Sequence, residues 1–274
     1  MKKYKINNKK GKVIAEVFLY FDYRKKNEKE FIKSILKETP FINSIGYAGF
    51  INKDWFLNNL LSYKIRVPSK SIDIVEICKI IEKTLLTYSK LLRRKIYIFV
   101  FPTKDEFISK KMGGVSGITI WKNTILIYIN PKIKNWRREL KETVAHESAH
   151  ILGNYYGQST LRECFVYEGI AEHFREFFVG GKRAPWTKAV TKKESILLLK
   201  KLKNKLDSKS DKLYRGVFFG TGKYPLWVGY TIGYYIVEEY LKKQKNIDWD
   251  KIIKTKPKEI LKEFLLDLNE KRTN

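Results

Sequence analysis

Sulfur and imidazole are scarce in this sequence. Its 274 residues include two cysteines, two methionines, three histidines and seven prolines. Cys78 and Cys164 lie far apart and form no CxxC pair, which excludes a cysteine-built zinc site and a dithiol redox pair. A disulfide between them would require export to an oxidising compartment. No apolar run approaches the roughly 20 residues needed to span a bilayer; residues 96–101 have only the length of a strand. The N-terminus, MKKYKINNKKGKVIAEVFLYFDY, starts basic but develops neither an uninterrupted apolar core nor a small-residue cleavage site, so it does not read as a signal peptide. The expectation is a soluble, cytoplasmic protein with no transmembrane segment. Internal repeats and low-complexity linkers are also missing.

Acidic residues are outnumbered, 29 against 56 basic ones, for a formal charge of +27. Such a balance attracts nucleic acid, anionic membranes or acidic substrates. Here the lysines are spread along the whole length, and only Arg93-Arg94 and Arg137-Arg138 pair up. Nucleic-acid binders concentrate cations on one element and interleave them with aromatics. A lysine-rich solvated surface is therefore the preferred reading, and nucleic acid is not the expected partner.

Hydrophobic residues make up 43% of the chain and aromatics 14%. That supports a real core, in one large domain or in two modest subdomains around a shared cleft. Residues 12–22 read as an early strand, followed by helical patches near 27–38 and 53–63 about a turn-rich stretch at 40–49. Apolar residues recur at helical spacing over 72–92, with Ser71 as a candidate N-cap. Three strands are expected at 95–101, 116–121 and 124–130, the last two joined by a tight turn at Lys122-Asn123. Asn135 can cap a helix running to about Leu152, with Gly153 and Gly157 at its end. Thr160 and Glu163 form a capping box that opens a second helix reaching Phe178. The remainder reads as helical, with Gly- and Pro-rich loops around 179–187 and 216–226. The expected fold is α+β: a small twisted sheet beside an active-site helix, then a mainly helical C-terminal half. Residues 1–70 form a mixed region of unassigned role. Residues 71–274 form the main domain, with a cleft at the junction of 71–153 and 154–274.

Two of the three histidines fall in His146-Glu147-Ser148-Ala149-His150 on the first of these helices. Positions four apart on a helix differ by about 40° and about 6 Å along the axis, so both imidazoles can reach one Zn²⁺. Glu147, the adjacent residue, can take a proton from the attacking water without ligating the metal. A catalytic zinc usually has a third protein ligand and one open position. The candidates are Glu168 and His173, which point about 140° apart on one helix, so both cannot face the same ion. Glu168 has Glu172 at i+4, placed to accept the free N–H of a zinc-bound imidazole, and is favoured. The pattern HExxHxxGxxH fails: position 156 is Tyr156, and no methionine follows the motif.

HExxH followed at this distance by Glu168-Gly-Ile-Ala-Glu-His173 resembles the gluzincins, zinc peptidases with two His and one Glu ligand. Together with Pro185-Trp186-Thr187 and Gly229-Tyr-Thr-Ile-Gly-Tyr234, it is similar to a bacterial family of predicted zinc-dependent proteases of unknown substrate. The similarity covers about residues 95–265. It implies a zincin-like fold, zinc ligation by the carboxylate at 168 and orientation of a ligand imidazole by Glu172. Ser148 departs from it, because relatives often carry a bulkier aromatic there, a change in packing rather than ligation. Peptidases of this architecture, by the same resemblance, lay substrate along a sheet edge. The 116–120 segment, with Gly117, is the candidate edge and substrate contact. Tyr230, and after it Tyr234 or His173, are candidates for stabilising the oxyanion, each weighed against plain packing.

The reading is a peptidase using one Zn²⁺, held by His146, His150 and Glu168, with Glu147 as general base and a peptide or protein as substrate. Its rivals are a non-catalytic or regulatory zinc protein, and a protease acting on nucleic-acid-associated targets.

Overall fold

The computed structural model describes residues 2–21, 37, 73–155 and 159–270. The helical patches expected near 27–38 (Lys37 apart) and 53–63, the turn-rich stretch at 40–49, the Ser71 cap, Tyr156 and Gly157 lie outside them. The chain forms two compact units, Met1–Gly157 and Gln158–Asn274. The fold is α+β, as expected.

The first unit is built on a mixed sheet of β1 (Lys2–Asn7), β2 (Val13–Leu19), β3 (Ile96–Pro102), β4 (Val115–Trp121) and β5 (Thr124–Ile129), in the order β1-β2-β3-β5-β4. The three central strands, β2, β3 and β5, run parallel. Their sequences VIAEVFL, IYIFVFP and TILIYI are nearly continuous apolar runs, as strands covered on both faces require. Stacked rings tie them together: Phe18 on Phe99 at 4.7 Å, Tyr20 on Phe101 at 5.1 Å, and Phe101 on Tyr128 at 5.7 Å. The edges are antiparallel, β1 on β2 and β4 on β5. The turn at Lys122-Asn123 joins β4 to β5 where the sequence predicted it. The sequence reading did not anticipate β1. Its KKYKIN sequence buries only Ile6, so its pairing rests on main-chain bonds to β2 rather than on an alternating apolar pattern.

Helix α1 (Ile74–Thr87) is capped by Asp73, whose carboxylate accepts from Glu76 N, and ends five residues before the predicted Leu92. A short α2 (Glu106–Lys111), capped by Asp105, was not anticipated. Helix α3 (Trp136–Gly153) carries the HExxH motif. Asn135 occupies its N-cap position without a side-chain cap bond, and Asn154, at φ +57°, takes the left-handed position that ends it. Ser148 on α3 is fully buried, accepts from the Tyr88 hydroxyl at 3.1 Å and donates to Val144 O at 2.7 Å. The small residue inside the motif thus receives a tyrosine from α1's C-terminal end.

The second unit is helical throughout its described residues. It contains α4 (Leu161–Val179), a 3₁₀ turn (Pro185–Lys188), α5 (Lys192–Lys201), α6 (Asp211–Phe219), α7 (Val228–Lys242), α8 (Trp249–Lys254) and α9 (Pro257–Glu270). The Thr160–Glu163 capping box forms as predicted, and a second one, Thr191–Glu194, opens α5. Residues 216–219, assigned to a loop from sequence, are the last turn of α6. Helices α4 and α7 cross at two glycines. A Cβ on Gly169 would lie 2.2 Å from Gly233 O, and one on Gly233 would lie 2.0 Å from Phe165 O. Backbone cannot yield there as a side chain could. On the far side of α7, Glu239 accepts from Lys192 at 2.6 Å and Lys242 at 2.8 Å, joining α5 to α7. Burial works to raise the Glu239 pKa, but the two lysines bring it down to about 2.

Two outcomes follow. Gly169→Ala should lower stability by about 1–3 kcal/mol, visible as a lower melting temperature, because the added methyl meets main chain. Glu239 has a folded pKa below its ordinary 4.5, so its contribution is complete above that value and is lost as pH falls toward about 2. Urea midpoints between pH 6 and pH 2.5 should therefore fall less in Glu239→Gln than in the wild type.

Candidate metal centre

In the first unit, α3 places His146 and His150 one turn apart, and their Nε2 atoms approach to 3.1 Å with the rings at 72°. Two imidazoles on a tetrahedral zinc, with Zn–N of about 2.0–2.1 Å, hold their nitrogens about 3.3 Å apart. The observed pair fits that edge. His150 is buried and His146 half-buried.

Glu147 is 6% exposed and faces β4, the sheet edge. The Thr119 hydroxyl on β4 lies 2.8 Å from Glu147 Oε2 and 3.0 Å from its main-chain oxygen. Gly117, two residues earlier on the same face of the strand, lies directly against the glutamate. A Cβ there would be 2.7 Å from Glu147 Cγ, 3.0 Å from its Oε1 and 2.6 Å from Thr143 Cγ2. Thr119 went unnoticed in the sequence. The two-residue period shows that it shares a face with Gly117, but not which helix covers that face.

In the second unit, Glu168 lies on α4 one turn after Cys164 and one turn before Glu172. Burial, followed by the charges of Glu168 and Glu163, pushes the Cys164 thiol up to about 12, so it stays protonated at neutral pH. Both cysteines are free. Glu172 is wholly buried, and each of its oxygens has a partner. Arg175 Nε donates to Oε2 at 2.8 Å and Trp186 Nε1 donates to Oε1 at 2.6 Å. A carboxylate removed from water needs such partners to remain charged. Arg175 is visible in the sequence as an i,i+3 neighbour. Trp186 reaches Glu172 from the 3₁₀ turn, which no helical period could show.

His173 Nε2 is 3.0 Å from Tyr234 O, and its ring packs on Tyr234 with centroids 4.2 Å apart. Burial lowers its pKa against the pull of that carbonyl. The Tyr234 hydroxyl donates to Glu176 at 3.0 Å, and the Arg183 guanidinium lies 4.0 Å above the ring. Burial, reinforced by Glu176, raises the pKa of this phenol. Tyr230 is half-buried and meets Phe218 edge-on at 5.1 Å.

In the first unit His146 and His150 offer two imidazole nitrogens to a metal ion, and in the second Glu168 offers a carboxylate. Residues 76–262 match the family described as "Predicted Zn-dependent protease (DUF2268)". The chain belongs to this family. It is also similar to "Uncharacterized protein YjaZ" of Bacillus subtilis (strain 168), at 33% identity over 150 residues. That match covers 52% of this chain and 56% of YjaZ, so the chain spans just over half the length of this relative. No solved structure matches the chain. The family's description carries zinc and proteolysis as a predicted activity, the same reading that the HExxH motif suggested. No helix among the described residues is long and apolar enough to cross a membrane.

Trp186→Phe keeps the ring but removes the N–H given to Glu172. Losing a hydrogen bond to a buried charge should cost about 1.5–3 kcal/mol in urea denaturation. Trp186→Leu should cost at least as much.

Proposed function

We propose that this protein is a zinc-dependent peptidase in which His146, His150 and Glu168 hold one Zn²⁺ and Glu147 acts as general base. The observation that carries this reading is the convergence of the two Nε2 atoms to 3.1 Å with Glu147 beside them. Glu168, on α4 of the second unit, supplies the carboxylate that completes a two-His, one-Glu ligand set in this reading. Three protein ligands leave a position for water, whereas structural zinc sites are closed by four ligands and rich in cysteine. Zinc held there supplies a Lewis acid that activates water and polarises the scissile carbonyl.

The remaining chemistry belongs to the chain. Glu147 removes a proton from the attacking water and delivers it to the leaving amine. Thr119 holds one carboxylate oxygen and leaves Oε1, above Gly117, for that transfer. Among the described residues no strand pairs with the outer side of β4, and an extended substrate laid there passes closest to Glu147 at Gly117. Glu172, one turn after Glu168 on α4, orients a ligand imidazole in this reading. Tyr230 is the first candidate for oxyanion donor, and the Tyr234 hydroxyl donates to Glu176. His173 is engaged with the Tyr234 carbonyl and serves packing.

A peptide-library digest with metal analysis tests this. Glu147→Gln should keep one equivalent of zinc while losing at least about 100-fold in turnover, the usual worth of a general base. Thr119→Val should bind zinc normally but turn over about ten-fold more slowly, with Thr119→Ser near wild type, the loss expected for one orienting hydrogen bond. Unchanged hydrolysis by Glu147→Gln would remove that residue from the role. A zinc-loaded wild type that cleaves no peptide would leave the non-catalytic zinc protein.

A further inference from the structure

Sheet topology gathers charge that the sequence spreads out. Strands β2, β3 and β5 begin, and β1 and β4 end, at the same end of the sheet. Three connections meet there: residues 8–12, 88–95 and 122–123. Eight of their residues are Lys or Arg and none is Asp or Glu. Lys9, Lys10, Lys12, Arg93, Arg94 and Lys122 are all exposed. Arg94 also donates to Lys122 O, which draws the second and third connections together. The nearest acid along the chain, Glu16, is already bridged by Lys3 at 2.9 Å and Lys95 at 3.1 Å. At the opposite end, the described connections 103–114 and 130–135 carry Lys104, Lys110, Lys111, Lys132 and Lys134 against Asp105 and Glu106, and Lys110 pairs with Glu106. Eight cations among the 15 residues of the rim, against 56 in the 274 of the chain, make it a local concentration and not simply the overall excess of lysine.

No exposed large apolar or aromatic side chain lies in the three connections. These described connections offer no exposed ring to stack on bases and no exposed large apolar side chain to insert into a bilayer. They recognise an anion by charge alone. The rim adjoins β4, the edge strand of the described sheet, which runs past Thr119 and Glu147 and ends at Trp121, immediately before Lys122. A chain laid along that edge leaves it over the rim.

We propose that this end of the sheet docks an acidic, Asp- and Glu-rich segment flanking the scissile bond of the substrate, a specificity that rests on the peptidase reading above. Five strands about 4.8 Å apart span about 19 Å, the reach of about six extended residues. Complementary charge over that span speeds encounter and selects partners, and its effect weakens with salt.

The test is fluorescence anisotropy on the full chain with a labelled peptide ending in six glutamates and a twin ending in six glutamines. The glutamate peptide should bind at least ten-fold more tightly at 50 mM salt and lose most of that advantage at 300 mM. A variant carrying Lys9→Gln, Lys10→Gln, Lys12→Gln, Arg93→Gln and Arg94→Gln should lose the preference. A control with the same charge change in the second unit, at the exposed Lys200, Lys201, Lys203, Lys205 and Lys209, should keep it. Equal loss in both variants, or retention in the first, overturns the proposal. So does tighter binding of a 20-base-pair duplex DNA, or of phosphatidylserine vesicles, through the same five residues. Binding is read without turnover. A protein that cleaves nothing but shows this pattern therefore sinks the peptidase reading and keeps the acidic docking surface. Cleavage indifferent to the glutamate tail sinks the acidic specificity alone.

Discussion

Two imidazoles one turn apart can aim at a common point only while the helix bearing them is held rigid and kept from rolling. Helix α3 is fixed on both sides within its unit. On one side, the buried Tyr88 hydroxyl reaches Ser148. On the other, the Thr119 hydroxyl reaches both the side chain and the main chain of Glu147. The neighbours of the two imidazoles are small: Ala145, just before the motif, and Ser148 and Ala149 within it are all fully buried. Close approach of strand and helix is thus part of the site's construction. Within the motif, Glu147 and Ser148 each make a contact that keeps the helix from rolling.

The second unit solves a related problem with charge. Helix α4 carries Glu168 and, a turn later, Glu172, with both oxygens of Glu172 occupied by Arg175 and Trp186. The two glycines that let α4 and α7 touch through main chain stop α4 from sliding against its neighbour. In both units the residues that would do chemistry are held by partners which do none.

Local signals were legible in the sequence and long-range ones were not. The HExxH spacing, the Thr160–Glu163 capping box, the Lys122-Asn123 turn and the apolar runs of the central strands depend on neighbours within a few residues. They sit where the pattern put them. Edge strand β1 escaped notice because an edge made of lysines has no apolar alternation to read. Thr119 and Trp186 went unrecognised as supports because their partners lie 28 and 14 residues away, and only the folded chain brings them together. Asp73, which caps α1, was not singled out because acid and hydroxyl side chains two residues apart offer the same signal. The basic rim was invisible for a different reason. Its cations come from three connections, and only the parallel course of β2, β3 and β5 brings those to one end.

The Glu172–Arg175 pair also constrains how this sequence can drift. Both residues are almost wholly out of water. Losing either one alone strands its partner's charge in the interior, at about 3–5 kcal/mol, a large part of a domain's whole stability. A single-step replacement at one position is therefore close to a dead end. The two positions must persist together or change together, so among diverged descendants an uncharged residue at 175 should come with an uncharged residue at 172, and an altered mode of holding Glu168's helix should follow.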